Sequence, residues 1–216
     1  MDKVILSETA HPQLIEYINT LGIRVESVPN HNGSMIGTHA DLYYCQLNTG
    51  RGSMVFEGVR ELVGSAYPKD CIYNAACTGK YFIHNTKITD PDLLAMARQL
   101  GMDIIDVKQG YSKCSCATVD ENSIITSDAG IARACEDKLD CLLISTGNVL
   151  LEGFDYGFIG GCSGRLRDEI IFNGDLSAHP DFWKIKGFIE SRGLRVKYFP
   201  GYPLTDIGSL IFCIGK

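Results

Sequence analysis

Gly201-Tyr-Pro-Leu-Thr-Asp-Ile-Gly-Ser-Leu-Ile-Phe-Cys-Ile-Gly-Lys216 decides how the rest of the chain is read. It follows a strand-like run ending at Phe199-Pro200, after which Pro and Gly punctuate the backbone. Beyond Asp206 and Gly208, the run Ser209 to Ile214 is a short apolar strand pattern that carries Cys213. The same order recurs upstream. A helix opens at His-Pro or Asp-Pro, stops at a Gly, and gives way to a β-branched run; a Gly-started loop and a second apolar run follow.

Three copies are clear. His11-Pro to Leu21-Gly22 sets Leu14, Ile18 and Leu21 on one helical face, with Pro12 at the first turn and Gly22 as the stop. Ile23 to Val28 is its strand, followed by Gly37 to Leu47, a turn, and Ser53 to Phe56. Asp90-Pro to Gly101 replays the helix with Leu93, Ala97 and Leu100 inward. A strand over 103–107, a loop and second strand over 110–119, and a run at 123–126 follow it. The third copy runs from His179-Pro to Gly193, then Leu194 to Phe199 and the closing stretch. Weaker copies lie between: Glu57 to Val63 as a brief helix before runs at 71–77 and 80–84, and Asp128 to Leu139 as a capped helix before runs at 141–145, 157–164 and 169–172. Helix starts near 11, 57, 90, 128 and 179 divide the 216 residues into five ββαβ-like units of about 43 residues.

A βα unit of this size cannot bury both faces of its sheet alone, so the units must pack on one another. The expectation is a single α/β domain over residues 1–216 whose five units close into a ring, with Val4-Ile-Leu6 completing the sheet of the last unit. Segments 37–47, 71–77, 110–119, 157–164 and 203–209 would then converge on a central channel.

Composition narrows the function. A net charge of −6 and scattered Lys and Arg argue against nucleic acid or an anionic membrane surface as partner. No apolar run approaches the roughly 18 residues of a membrane span. Met1-Asp-Lys-Val-Ile5 lacks the apolar core and cleavage site of a signal peptide, so a cytoplasmic location is expected. Most of the nine cysteines in such a chain are expected to be reduced and buried. Cys114-Ser-Cys116 has no second pair and no nearby His at zinc-type spacing, so neither a metal nor a cofactor is expected.

His39-Ala-Asp41 at the start of an inner strand, Gly208 to Cys213 near the C-terminus, and the Gly157-Phe-Ile-Gly-Gly-Cys-Ser-Gly164 loop together resemble the penteins. Penteins are five-bladed α/β propellers that modify guanidino groups, as hydrolases or amidinotransferases, through a covalent Cys intermediate. The resemblance covers the whole chain at the level of its repeats. In that family the His-x-Asp lies closer in sequence to the Cys, and no early Asp and Glu clamp is matched here.

The chemistry can be argued directly. Attack on a guanidinium carbon needs a thiolate, a His to protonate the leaving amine, and carboxylates to hold the planar cation. Cys213 and His39 are the candidate catalytic pair, and Asp41 and Asp206 the clamp, with Glu152 or Asp155 as a further carboxylate. Cys162, between Gly161 and Ser163, is the rival nucleophile. The expected partner is a small cationic guanidino or amidino molecule. The alternative is a non-catalytic propeller that serves as a binding or assembly module. The two readings separate on whether Cys213 and His39 approach each other across a channel lined by carboxylates.

Overall fold

Residues 2–48 and 52–215 are described by a computed structural model. In chain order the elements are β1 (Lys3–Ser7), α1 (Pro12–Thr20), β2 (Arg24–Val28), β3 (Tyr44–Gln46), β4 (Val55–Glu57), β5 (Ala76–Cys77), β6 (Tyr81–His84), α2 (Pro91–Gln99) and β7 (Asp103–Asp106). There follow α3 (Ser112–Ser115), β8 (Cys116–Asp120), β9 (Ser123–Thr126), α4 (Ala129–Cys135), β10 (Asp140–Leu143), β11 (Ser163–Leu166), β12 (Glu169–Phe172), α5 (Phe182–Glu190), β13 (Arg195–Lys197) and β14 (Ile211–Cys213).

The helices begin where their caps dictate. His11 Nδ1 accepts the Gln13 N–H ahead of α1, and Asp90 accepts the Asp92 and Leu93 N–H groups ahead of α2, each followed by Pro at the first turn. Gly22 and Gly101 end these helices at φ +70° and +73°, a conformation that costs other residues more. Leu14 and Ile18, then Leu93 and Ala97, are the buried faces. At the third copy His179 Nδ1 instead accepts the Asp181 N–H, and α5 opens only at Phe182.

Among the described residues the strands form five small sheets in a mixed α/β fold. Four share one plan, in which the middle strand pairs antiparallel with one neighbour and parallel with the strand that returns after a helix. These are β14-β1-β2, β5-β6-β7, β8-β9-β10 and β11-β12-β13. The first strand thus completes the last sheet, with Val4 opposite Phe212. The middle strands β6, β9 and β12 are buried along their whole length. Phe82 and Phe172 on these strands, and Phe212 on β14, are fully enclosed, each contributing about 1.5–3 kcal/mol on burial.

Two expectations need correction. The helix expected over Glu57 to Val63 is a single 3-10 turn at Arg60–Leu62, and no strand returns after it, so β3-β4 has only two strands. That stretch buries no residue of the turn and runs directly into the Gly64-Ser-Ala-Tyr-Pro68 loop, which gives a helix neither an apolar face nor room to extend. The loop expected at the head of the 110–119 segment holds the short helix α3 before strand β8 begins. No helix among the described residues is long and apolar enough to cross a membrane.

His84 anchors the loop that leads into α3. It is wholly buried, its Nε2 donates to the Gly110 carbonyl at 2.7 Å, and its Nδ1 pairs with Thr89 Oγ1 at 2.7 Å. Burial pushes its pKa down from 6.5 to about 4, partly opposed by the Gly110 hydrogen bond. Because the folded value is depressed, the contribution to stability is complete above pH 6.5 and is lost as pH falls through the window down to about 4. His84 alone is expected to contribute about 3 kcal/mol of acid destabilisation to denaturant melts in that window, and His84→Gln should remove that share of the slope, leaving the part that buried His39 and His179 contribute. An unchanged slope in the variant would contradict the assignment.

Candidate active site

The residues just ahead of five strands meet in one buried polar group. Asp41 precedes β3, Asn74 precedes β5, Lys113 and Cys114 precede β8, Gly160 and Gly161 precede β11, and Ser209 precedes β14. Cys114 Sγ donates to Asp41 Oδ2 at 3.1 Å, and Ser209 Oγ donates to the same oxygen at 2.6 Å. Asn74 bridges the group: its amide nitrogen lies 3.4 Å from Cys114 Sγ and 3.3 Å from the Asp41 carbonyl, while its oxygen accepts the Lys113 and Cys114 N–H groups. Lys113, itself buried, donates from Nζ to Ser209 Oγ and the Gly160 carbonyl. Backbone bonds close the group, with Asp41 N donating to Gly208 O, Gly161 N to Cys114 O and Ser209 N to Gly161 O.

Ser209 sits at φ +69°, where a glycine would be less strained. Its hydroxyl, held between Lys113 and Asp41, is the reason a side chain is kept there.

His39 stands beside this group. One of its ring nitrogens, a carboxylate oxygen of Asp41 and Cys114 Sγ all lie within 4.8 Å of one another. Its Nδ1 is 3.8 Å from Asp206 Oδ1, too long for a hydrogen bond. Burial pushes the His39 pKa down, against the pull of Asp41, so the ring is neutral at pH 7 and the contact is not an ion pair. Burial likewise pushes Asp41 up and raises Asp206 to about 6, although Asp206 accepts the Gly208 and Phe158 N–H groups. The Cys114 thiol is pushed well above its usual range by burial first and then by the charges of Asp41 and Asp206.

A cavity of about 300 Å³ opens on these groups. His39, Cys114 and Asp206 line it together with Asp155 and the rings of Tyr111, Phe154, Tyr156 and Phe158. A second depression, which also has Leu151 in its lining, shares His39 and Asp206 and includes Glu152. Phe154 and Tyr156 are 49% and 41% exposed, so the loop around 151–158 sets an aromatic rim at the mouth.

The structure therefore gathers His39, Asp206 and Asp155 around one cavity, with Asp41 buried beside His39 and Cys114, and sets Glu152 beside it. Counted back from their strands, His39 and Asp206 each lie five residues ahead, whereas Asp41 lies three ahead, level with Gly208. Cys213 is outside the group. It lies opposite Lys3 in the sheet, its charged neighbours are Lys3, Glu26 and Glu57, and burial raises its thiol pKa. Cys162 is packed in an apolar cluster and donates to the Ile159 carbonyl. The thiol that does meet His39 is Cys114. Sequence reasoning had it only as half of an unconvincing metal pair; the overlooked signal was its place two residues before an inner strand, level with Ser209.

The fold and site define an α/β protein of five small sheets with a thiol, an imidazole and carboxylates at the floor of one cavity. The chain belongs to the family of unknown function DUF6873, whose model matches residues 50–211. No curated protein and no solved structure matches it.

Proposed function

We propose that the five sheets close into a pentein-type α/β propeller and that its central cavity binds a guanidino or amidino compound, which Cys114 attacks. The ring is supported by a cycle of contacts: β3 lies against β5, β5 against β8, β8 against β11, β11 against β14, and β14 against β3. The hydrogen bonds that link the residues ahead of all five strands support it further. The observation that carries the chemistry is the approach of Cys114 and His39 within 4.8 Å beneath walls of carboxylates and aromatic rings.

A planar delocalised cation suits such walls. Asp206 and Asp155 offer carboxylates for paired hydrogen bonds, and aromatic faces add cation–π attraction. The bound cation also supplies what the resting thiol lacks. Its positive charge offsets the carboxylates that hold the Cys114 proton on, so the proton can pass to neutral His39 as Sγ bonds to the guanidinium carbon. The C–N bond then breaks, and the imidazolium returns that proton to the departing amine. The amidino group left on Sγ is released by water, activated by the again neutral His39.

Agmatine, arginine and a methylated arginine, screened one at a time, are expected to raise the melting temperature. A ligand at a hundredfold excess over Kd stabilises the folded state by about 2.7 kcal/mol. Asp155→Asn should weaken that response and Asp206→Asn should remove it, with the unliganded protein still folded. If no guanidino compound shifts the melt at millimolar concentration, the substrate class is wrong. A shift without any modification of Cys114 would identify the non-catalytic binding module.

A further inference from the structure

We infer that His39, Asp41 and Cys114 form a binding site for a zinc-class divalent cation, with its fourth position open to the cavity. The donor set is one imidazole nitrogen, one carboxylate oxygen and one sulfur, all buried and all within 4.8 Å of one another. Zinc holds nitrogen and oxygen at about 2.0–2.2 Å and sulfur at about 2.3 Å, which sets tetrahedral edges of about 3.5 Å. Cys114 Sγ and Asp41 Oδ2 are 3.1 Å apart, and the three donors, all within 4.8 Å, would draw together around the ion.

Two orphaned atoms point to a ligand independently of the donor list. Asp41 Oδ1 and His39 Nδ1 are buried and have no hydrogen-bond partner, in residues 0% and 4% exposed. A buried polar atom left unpaired costs about 1–3 kcal/mol, and two in adjoining side chains mark a place built for something else to fill. A cation bound to Asp41 and the imidazole answers both.

The surrounding shell fits as well. Ser209 fixes Asp41 through Oδ2, and the Asn74 amide reaches Cys114 Sγ, a contact that stabilises a thiolate. Three protein donors with a side facing a cavity is the arrangement of a reactive zinc rather than a structural one, and His39 and Cys114 both line that cavity. Binding exchanges the Cys114 thiol proton for the metal, with no change of oxidation state. The same sulfur cannot then attack a guanidinium carbon, so the cation and the proposed covalent chemistry are mutually exclusive occupants. The inference uses the residues of the proposed site but does not depend on its substrate.

Cobalt(II) is the probe. Titrated into metal-stripped full-length protein, one equivalent should give intense visible bands of a tetrahedral ion and a sulfur-to-cobalt charge-transfer band in the near ultraviolet. Zinc should then bleach both. Cys114→Ser should lose the charge-transfer band, Cys213→Ser and Cys162→Ser should keep it, and Ser209→Gly should weaken affinity about 10–100-fold through the outer shell alone. Melting of each unliganded variant reports whether it folds, and the wild-type titration stands whatever a variant does. Absence of a saturable band in the wild type, or its survival in folded Cys114→Ser, overturns the site. Labelling by a guanidinium reagent in metal-free protein is read separately, so either proposal can fail without the other.

Discussion

Cys114→Ala is expected to abolish covalent modification by a haloacetamidine, a cationic mimic of guanidinium, while Cys213→Ala leaves it unchanged. Wild-type protein should carry the adduct on Cys114 after limited labelling, read by intact mass and peptide mapping. The reagent should also outrun neutral iodoacetamide when each is referred to a free-thiol standard. The electrostatics explain the preference. Burial and the charges of Asp41 and Asp206 keep the Cys114 proton on, so a neutral reagent meets an unreactive thiol. A cationic reagent is drawn to Asp206 and Asp155 and brings the positive charge that lowers the cost of thiolate formation. Once a substrate is known, the same substitution should reduce turnover by about 10⁴-fold or more, as removal of a nucleophile does in other covalent enzymes. Adducts on Cys213, or spread over several cysteines, would sink the assignment.

Gly160→Ala is expected to cost at least about 4 kcal/mol and to leave little folded protein. A Cβ at this position would fall well inside van der Waals contact of the Lys113 and Cys116 carbonyls. Both are backbone atoms, which cannot rotate aside as a side chain can, so the penalty exceeds the usual 1–3 kcal/mol of overpacking, roughly doubling it. To make room, the approach to β11 would have to leave the segment around α3. That would break the Gly161 N–H bond to Cys114 O and the Lys113 bond to Gly160 O, and the thiol would no longer be held against Asp41. Gly187→Ala is the control. It lies within α5 with nothing near a new Cβ, and should stabilise by about 0.5–1 kcal/mol. Denaturant melts of both variants check the pair. A Gly160→Ala protein as stable as the wild type would show that the two segments are not locked together at this point.

Much of the fold was legible because local physics wrote it. Pro12 and Pro91 behind capping residues, with Gly22 and Gly101 at positive φ, mark helix ends whatever the helix packs against. Runs such as Ser123–Thr126 and Glu169–Phe172 are apolar enough to be strands buried on both faces, and they are. The link from Val4 to the sheet of the last unit followed from the repeat, which left that sheet one strand short. Where the repeat decays, as after Glu57, the reading overran and supplied a helix that the chain does not form.

The site was legible only in part, for a different reason. His39, Asp41 and Asp206 could be found because a His-x-Asp opens one inner segment and an Asp stands near a Gly in another. The nucleophile could not. Nine cysteines look alike in sequence, and nearly all are buried, so burial pattern does not separate Cys114 from Cys162 or Cys213. What singles out Cys114 is its contact with Asp41, 73 residues away, while Asp41 is bound in turn by Ser209, 168 residues away. By itself the sequence determined the elements and their repeat, since periodicity and capping act over a few residues of chain. Only the tertiary structure decided which thiol faces the imidazole, because that depends on how closely separate sheets approach, and no local pattern records such a distance.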